Sequence, residues 1–218
     1  MANHAIGINL AQLTVFSLYY PEKRQLEMMK NRIFFFLALL FFHACSNNSS
    51  REQTPEASPT IPAVEEDEVI LQLSSYLIAN PQNQAERDQN IITNYAIDKL
   101  IPLERTASGL FYHILDTGAG ELLQWGDYIS AHYKGYFLDG QVFDSSYRRD
   151  KPLEFYIGNM VPGWNEGLQL IRPGGKILLL IPSALGYGEK GFPDGKGGFL
   201  VPPNTVLAFE VEVLEKLK

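Results

Sequence analysis

The chain has 218 residues, of which 45% are hydrophobic and 20% are charged, and its formal net charge at pH 7 is -7. This balance is typical of a folded protein and excludes a wholly disordered or collagen-like chain. An acidic chain lacks the basic surface that nucleic acids attract, so we expect no nucleic-acid partner. The single cysteine, Cys45, cannot form an internal disulfide, and four histidines do not suggest a cluster. We therefore predict no metal site and no cofactor.

The region before Cys45 has the pattern of an export signal. Residues 33–42 are ten uncharged apolar residues, and Lys30 and Arg32 stand just before them. The run is too short to span a bilayer, which takes about 20 residues. The small residue Ala44 follows the apolar run. This order of basic flank, short apolar run and small residue is typical of a secretory signal. With Cys45 at the cut, the pattern resembles the lipobox of a bacterial lipoprotein.

We predict that residues 1–44 are an upstream extension plus signal peptide and that Cys45 carries the lipid. Phe42 and His43 depart from the usual lipobox residues, so an ordinary cleaved signal with Cys45 incidental is the alternative. Met28 and Met29 directly precede the basic flank, which suggests that translation begins there. The predicted location is the bacterial cell envelope, lipid-anchored at the outer membrane and facing the periplasm.

The remaining chain divides into three predicted segments. Residues 45–64 are polar and rich in Ser, Asn, Glu, Thr and Pro, which predicts a flexible tether. Residues 65–103 contain two helical stripes, at 65–79 and 84–100, the second including Ile91 and Ile92. These helices either pack on the following domain, which we favour, or form a dimerisation or partner-docking arm. Residues 104–218 form the main domain.

From Gly109 onward the apolar residues alternate, which predicts strands at 110–115, 128–137, 141–144, 153–157, 176–181 and 205–213. Asp139-Gly140 predicts a tight hairpin turn. Pro162 opens a short helix whose Trp164, Leu168 and Ile171 share one apolar face. The predicted fold class is α+β: a curved antiparallel sheet wrapped around one short α-helix, preceded by the small helical segment and the N-terminal signal and tether.

Two tempting motifs do not carry chemistry. Residues 186–191 match GxGxxG, but the Gly- and Pro-containing stretch that follows cannot open the helix that a dinucleotide site requires. His132 falls on the polar face of its strand, which favours a solvated or hydrogen-bonded histidine over a catalytic one.

Six short motifs occur in register along the domain: residues 131–135 (AHYKG), 139–140 (DG), 143–146 (FDSS), 163–167 (GWNEG), 187–188 (YG) and 201–205 (VPPNT). Together they resemble the FKBP-type peptidyl-prolyl cis-trans isomerase family, over about residues 104–218. The fold that this resemblance implies agrees with the strands and helix predicted above.

The resemblance also implies a set of site residues. It places catalytic roles on Asp144, Tyr187 and Val161, whose backbone N–H would donate to a bound carbonyl. It places substrate binding on a pocket whose aromatic walls are Tyr133, Phe143 and Phe209. Trp164 would form the floor of that pocket, and Val201 would form its apolar lip. Arg149 would support Asp144 by pairing with it. Leu153 stands where an aromatic residue is common, and the loop from Gly188 to Pro202 is longer than usual.

The implied function is peptidyl-prolyl cis-trans isomerisation, accelerating the folding of proline-containing polypeptides of the cell envelope in a desolvated aromatic pocket. The alternative is a non-catalytic, membrane-tethered peptide binder, chaperone or assembly factor that uses the same groove. Lipoproteins of this layout also resemble the gliding-motility-associated isomerases of certain bacteria. The residues leave the oligomeric state open.

Overall fold

The computed structural model describes residues 63–218, with side chains from Glu66 onward. The predicted signal, the lipidation site Cys45 and most of the predicted tether lie outside these residues. Within residues 63–218, none of the helices is both long and apolar enough to cross a bilayer. The same part of the chain holds no group of three His, Cys, Asp or Glu residues arranged to bind a metal ion.

Within the described residues, two helices precede the sheet. Helix α1 spans Ala63–Ser74 and α2 spans Gln84–Lys99. The Asn83 side chain caps α2 by accepting a hydrogen bond from the Glu86 N–H, and Leu100 ends it in the left-handed conformation. Helix α1 therefore begins two residues before the predicted start and ends five residues before the predicted end, whereas α2 matches its prediction to within one residue.

The inward face of α2 differs from the predicted stripe. Ile92, Ala96 and Ile97 are buried, but Ile91 is 48% exposed. The buried residues Asp88, Ile92, Thr93, Ala96 and Ile97 define the inward face of α2. Because 3.6 residues make one turn, Ile91 lies about 100° around the helix from Ile92, on the side away from Thr93, and so falls outside this face. The prediction that placed Ile91 in the packed stripe is therefore wrong, and this side chain remains available at the surface.

Nine strands follow, and seven of them form one antiparallel sheet with the order β1-β2-β6-β9-β3-β4, in which β5 also pairs with β3. The strands are β1 Glu104–Arg105, β2 Phe111–Asp116, β3 Tyr128–Tyr136, β4 Val142–Ser145, β5 Leu153–Tyr156, β6 Lys176–Ile181, β7 Phe192–Pro193, β8 Phe199–Val201 and β9 Leu207–Lys216. Strands β7 and β8 pair only with each other. Strand β3 has three partners, β9 along its length and then β4 and β5 at opposite ends.

The predicted alternation agrees with the observed burial. Ile129, Ala131 and Tyr133 of β3 point into the core and are at most 5% exposed. The inward residues of β9 (Leu207, Phe209, Val211 and Val213) are equally buried. The turn at Asp139-Gly140 also forms as predicted, with Gly140 at a φ of 93° that suits glycine.

Helix α3 spans Pro162–Gly167 and continues as a 3-10 turn over Leu168–Leu170. Its Trp164, Leu168 and Ile171 are almost completely buried, as predicted. Glycine lets this helix lie directly on β6, because a Cβ atom at Gly163 would come within 2.7 Å of the Ile181 side chain. The curved sheet and this one short helix enclose the core, which agrees with the predicted fold class.

Candidate functional site

Four aromatic rings from four different elements, including the indole of Trp164, pack together in one cluster. The rings of Tyr133 and Phe209 both stand nearly perpendicular to the indole, with centroids 5.2 Å away. Phe143 stands perpendicular to Phe209 at 5.5 Å. Perpendicular contacts at these distances are the favourable geometry for aromatic pairs. We call Tyr133, Phe143, Trp164 and Phe209 the ring cluster; the structure brings together all four aromatic residues that the sequence placed in it.

A glycine makes room for two of these rings. Gly135 of β3 lies opposite Phe209 of β9 in the sheet. A Cβ atom on Gly135 would lie 2.6 Å from Phe209 Cε1 and 2.8 Å from Phe143 Cζ, which is closer than real Cβ atoms approach. Glycine at this position therefore lets Phe143 and Phe209 pack over β3.

The rim of the ring cluster carries a hydrogen-bonded ion pair. The Tyr133 hydroxyl donates to Asp144 Oδ2 at 2.5 Å, and Arg149 Nη1 donates to Asp144 Oδ1 at 2.6 Å. Arg149 Nη2 also donates to the Tyr133 hydroxyl oxygen at 2.6 Å. We call Tyr133, Asp144 and Arg149 the carboxylate cluster. Each member contacts the other two, so the position of the carboxylate is set from both sides.

Buried Ser146 holds the backbone of Tyr133 in place through hydrogen bonds. The Tyr133 N–H donates to Ser146 Oγ at 2.8 Å, and the Ser146 N–H donates to the Tyr133 carbonyl at 3.1 Å. His132 also contacts Ser146 Oγ, at 3.0 Å through Nδ1, and its ring stacks on Tyr147. His132 is thus a hydrogen-bonded structural residue, as predicted.

The electrostatics keep the carboxylate ionised. Partial burial would raise the pKa of Asp144, but hydrogen bonds from Tyr133 and Arg149 lower that pKa overall. The bond to Asp144 raises the pKa of Arg149. Burial, followed by the bond to Asp144, raises the pKa of Tyr133 to about 12. At neutral pH the cluster therefore holds a carboxylate, a guanidinium and a neutral phenol.

Asp144 is only partly buried. Its side chain is 39% exposed, and that of Arg149 is 49% exposed. The reason is the position of β4 at one end of the sheet order, where no further strand covers its outer side. Asp144 therefore lies where the ring cluster meets solvent, and an incoming molecule could reach it.

Two hydrogen-bond donors lie beside the ring cluster. Val161 precedes α3, and its carbonyl accepts from the Trp164 and Asn165 N–H groups at 3.0 and 3.1 Å. Within residues 63–218, neither the Val161 N–H nor the Tyr187 hydroxyl has a hydrogen-bond acceptor. Burial raises the pKa of Tyr187, and the nearby charge of Asp144 adds to this. Both donors are therefore available to an incoming carbonyl, the role that the sequence resemblance implied.

The remaining predicted site residue, Val201, is 1% exposed and belongs to the same core cluster as the rings. Its neighbour across the β7–β8 pair is Phe192. Val201 thus packs inside rather than forming an exposed edge, because its side chain points from β8 toward the core.

Three further aromatic residues contact the predicted set but were not singled out from the sequence. Phe155 lies 5.5 Å from Trp164, and Phe137 lies 5.0 Å from Phe143. Phe192 stacks on Tyr187 at 5.0 Å with an interplanar angle of 28°. The alternation of β5 already placed Phe155 on the inner face. No periodicity marks Phe192, because its strand has only two residues.

Comparison with known proteins finds a family whose model matches part of this chain. Residues 120–214 match the family model described as FKBP-type peptidyl-prolyl cis-trans isomerase. A probable FKBP-type peptidyl-prolyl cis-trans isomerase from Haemophilus influenzae is 44% identical over 113 residues, which are 52% of this chain and 45% of that protein. The FKBP-type peptidyl-prolyl cis-trans isomerase FkpA from Escherichia coli K12 is 42% identical over 113 residues, 52% of this chain and 40% of that protein.

The fold is similar as well. The crystal structure of FkpA from Escherichia coli superposes with a TM-score of 0.53 and 32% identity, covering 70% of this chain and 63% of that chain. This chain spans less than half the length of the two curated relatives. The motifs, the antiparallel sheet around one short helix and the family match agree. Residues 120–214 are therefore a domain of the FKBP-type peptidyl-prolyl cis-trans isomerase family.

Proposed function

We propose that this protein is a peptidyl-prolyl cis-trans isomerase whose substrate proline sits against the ring cluster. The observation that carries the proposal is the convergence of four aromatic rings with two unpaired donors and an ionised carboxylate. The half-buried side chains of Phe143 and Tyr187 border the cluster on its accessible side. The apolar proline ring would enter there, over the buried indole of Trp164.

The reaction needs no covalent chemistry. Rotation about a peptide bond has a barrier of about 18–20 kcal/mol, because resonance gives the C–N bond double-bond character. The planar amide carries negative charge on oxygen and positive charge on nitrogen, and the twisted transition state loses most of this separation. A water-poor, ring-lined site disfavours the planar form relative to the twisted one, so it lowers the barrier.

The donors position the substrate. The Val161 N–H would donate to a carbonyl flanking the proline, and the Tyr187 hydroxyl would donate to a second one. Asp144, kept ionised by Arg149 and Tyr133, would orient the substrate carbonyl at the reacting bond. A 10⁴-fold acceleration requires about 5.4 kcal/mol of differential stabilisation, which is within the range of apolar contact and a few hydrogen bonds.

The test is an isomerisation assay on a short X-Pro peptide, using the full chain. We expect wild-type protein to accelerate exchange, and Asp144→Leu to reduce kcat/KM by roughly 10- to 100-fold. Glu121→Leu, at an exposed loop position, is the matched control and should retain full activity. Circular dichroism would establish that both variants fold. Undiminished activity of a folded Asp144→Leu protein would remove Asp144 from the mechanism.

Binding without turnover would favour the alternative, a non-catalytic peptide binder or chaperone. An isothermal titration of the same peptide against the wild-type protein distinguishes the two outcomes. Heat release with no acceleration of exchange would contradict the isomerase proposal, because the site would then hold prolyl peptides without lowering the barrier.

We also propose that the clients are proline-containing polypeptides of the cell envelope and that lipid on Cys45 anchors the protein there. The support is the signal-like pattern before Cys45 and the polar stretch that follows it. Mass spectrometry of the membrane fraction should find acylated Cys45 at the mature N-terminus, and Cys45→Ser should release the protein to the soluble fraction. A soluble wild-type protein with unmodified Cys45 would contradict this.

A further inference from the structure

A groove of about 480 Å³ lies beside the ring cluster and contains none of the predicted site residues. Three segments form it: α2 through Ile91, the turn between β3 and β4 through Phe137, Leu138 and Gln141, and the segment leading into β9 through Pro202 and Val206. We call this the flanking groove. Its volume is within the roughly 300–1,000 Å³ range of ligand pockets.

The flanking groove adjoins the ring cluster at two points. On one side, Phe137 of the groove lies 5.0 Å from Phe143 of the cluster. On the other side, Pro202 of the groove follows Val201, which packs with the rings. A chain bound at the ring cluster would therefore pass close to the groove at either of these two points.

The groove combines apolar contacts with unpaired amides. Ile91 presents an aliphatic side chain that is 48% exposed. The side-chain amides of Gln141 and Asn204 also line the groove, and neither has a hydrogen-bond partner within residues 63–218. Primary amides can donate and accept, as the backbone of an extended peptide requires. This combination fits one apolar side chain together with the polypeptide backbone on either side of it.

We propose that the flanking groove binds the substrate polypeptide beyond the X-Pro bond and selects an apolar residue there. The inference rests on the proposed isomerase function and names a part of its substrate specificity. The ring centroids of Phe209 and Phe137 are at most about 10 Å apart, since each lies close to Phe143, and an extended chain advances about 3.3–3.6 Å per residue. The selected residue therefore lies up to about three positions from the proline.

This assignment gives α2 a role in recognition. Ile91 lies outside residues 120–214, which match the isomerase family model. The helix supplies one apolar wall, so the segment before the family domain would determine which clients bind well. The reaction itself would depend on the ring cluster, Asp144 and the two donors, and not on α2.

The test measures isomerisation of long peptides by NMR exchange spectroscopy, with Leu or Ser placed three residues before or after the proline. Each kcat/KM is divided by the value that the same protein gives for a short X-Pro peptide. On one side of the proline, we expect the normalised kcat/KM of the wild-type protein to be about tenfold higher for the Leu peptide than for the Ser peptide. Ile91→Ser and Leu138→Ser should each reduce that preference. Leu71→Ser is the matched control, because Leu71 of α1 is 64% exposed and lies outside the groove.

The outcomes separate this inference from the proposed function. If the short peptide is accelerated but Leu and Ser give equal rates on both sides, the flanking groove does not select substrate and the inference is wrong. If even the short peptide is not accelerated, the proposed function fails and the inference fails with it. If Ile91→Ser changes the sedimentation coefficient while the Leu preference stays intact, a second copy occupies the groove, which also overturns the inference.

Discussion

Asp88 of α2 accepts two hydrogen bonds from Ser183, from its N–H at 2.8 Å and from its hydroxyl at 2.6 Å. Both residues are almost completely buried, although they are 95 positions apart. Ser183 lies four residues before Tyr187, one of the unpaired donors beside the ring cluster. The helix that precedes the family domain is therefore tied to the loop that carries a predicted site residue.

Removing this carboxylate should affect both stability and activity. Asp88→Ala leaves two buried donors of Ser183 without an acceptor, so we expect the free energy of unfolding to fall by roughly 3 kcal/mol. Urea denaturation measures this change, with the exposed Glu121→Ala as a control that should stay within about 0.5 kcal/mol of wild type. We also expect a lower kcat/KM, since the Tyr187 loop loses its attachment.

A double-mutant cycle tests the pairing itself. Asp88→Ala and Ser183→Ala combined should destabilise the protein by less than the sum of the two single changes, because each removes the same contact. Strict additivity would mean that the two residues contribute independently, contrary to their geometry.

The pH dependence of isomerisation should be nearly flat. The pKa of Asp144 is lowered from its ordinary value, and that of Tyr133 is raised to about 12, so neither changes protonation near neutrality. We expect kcat/KM, measured by NMR exchange, to stay constant from about pH 5 to about pH 9, since free aspartate titrates near 3.9. A decline as the pH falls from 7 toward 5 would contradict an ionised Asp144.

The same group links stability to pH in a fixed direction. Because folding lowers the pKa of Asp144, its ion pair stabilises the protein above the unfolded-state pKa. That contribution disappears as the pH falls through the folded-state pKa. The exposure of both partners makes the effect small. Thermal denaturation at a series of acidic pH values measures this contribution. Asp144→Asn should make the midpoint temperature depend slightly less on pH in that range.

A single methyl group at Gly135 should disturb two walls of the site. Gly135→Ala forces Phe143 and Phe209 to move, because the new Cβ would lie under 3.0 Å from each ring. We expect kcat/KM to fall by roughly 10- to 100-fold and stability to fall by about 1–3 kcal/mol. Gly167→Ala is the matched control, since its Cβ meets the side chain of Leu179 instead. Equal losses of activity in the two variants would show a general folding defect.

The stack between Tyr187 and Phe192 should hold the phenol in position. An aromatic pair contributes about 0.5–1.5 kcal/mol beyond simple burial, so Phe192→Ala should lower kcat/KM by about 2- to 10-fold. Phe199→Ala is the matched control, because Phe199 lies on the neighbouring strand of the same hairpin. Its ring is 51% exposed and is not part of the stack. If Phe199→Ala is as damaging as Phe192→Ala, the hairpin as a whole contributes rather than the stack.

Much of the fold was predictable from periodicity. Alternation in β3 and β9 identified which residues face the core, and the spacing of Trp164, Leu168 and Ile171 identified the inward face of α3. These patterns are local, because a strand repeats every two residues and a helix every 3.6. The same rule gave the wrong orientation for Ile91, since two adjacent apolar residues do not by themselves tell which one faces inward.

By itself, the sequence determined the order of the elements, the residues of the ring cluster and the motifs that resemble the isomerase family. Only the tertiary structure decided that Tyr133, Asp144 and Arg149 form one hydrogen-bonded cluster, that Asp144 is partly exposed, and that Phe192 stacks on Tyr187. It alone placed Asp88 against Ser183 and Ile91 beside Phe137. The physical reason is that these contacts depend on strand register and on how helices pack against the sheet, which no local repeat encodes.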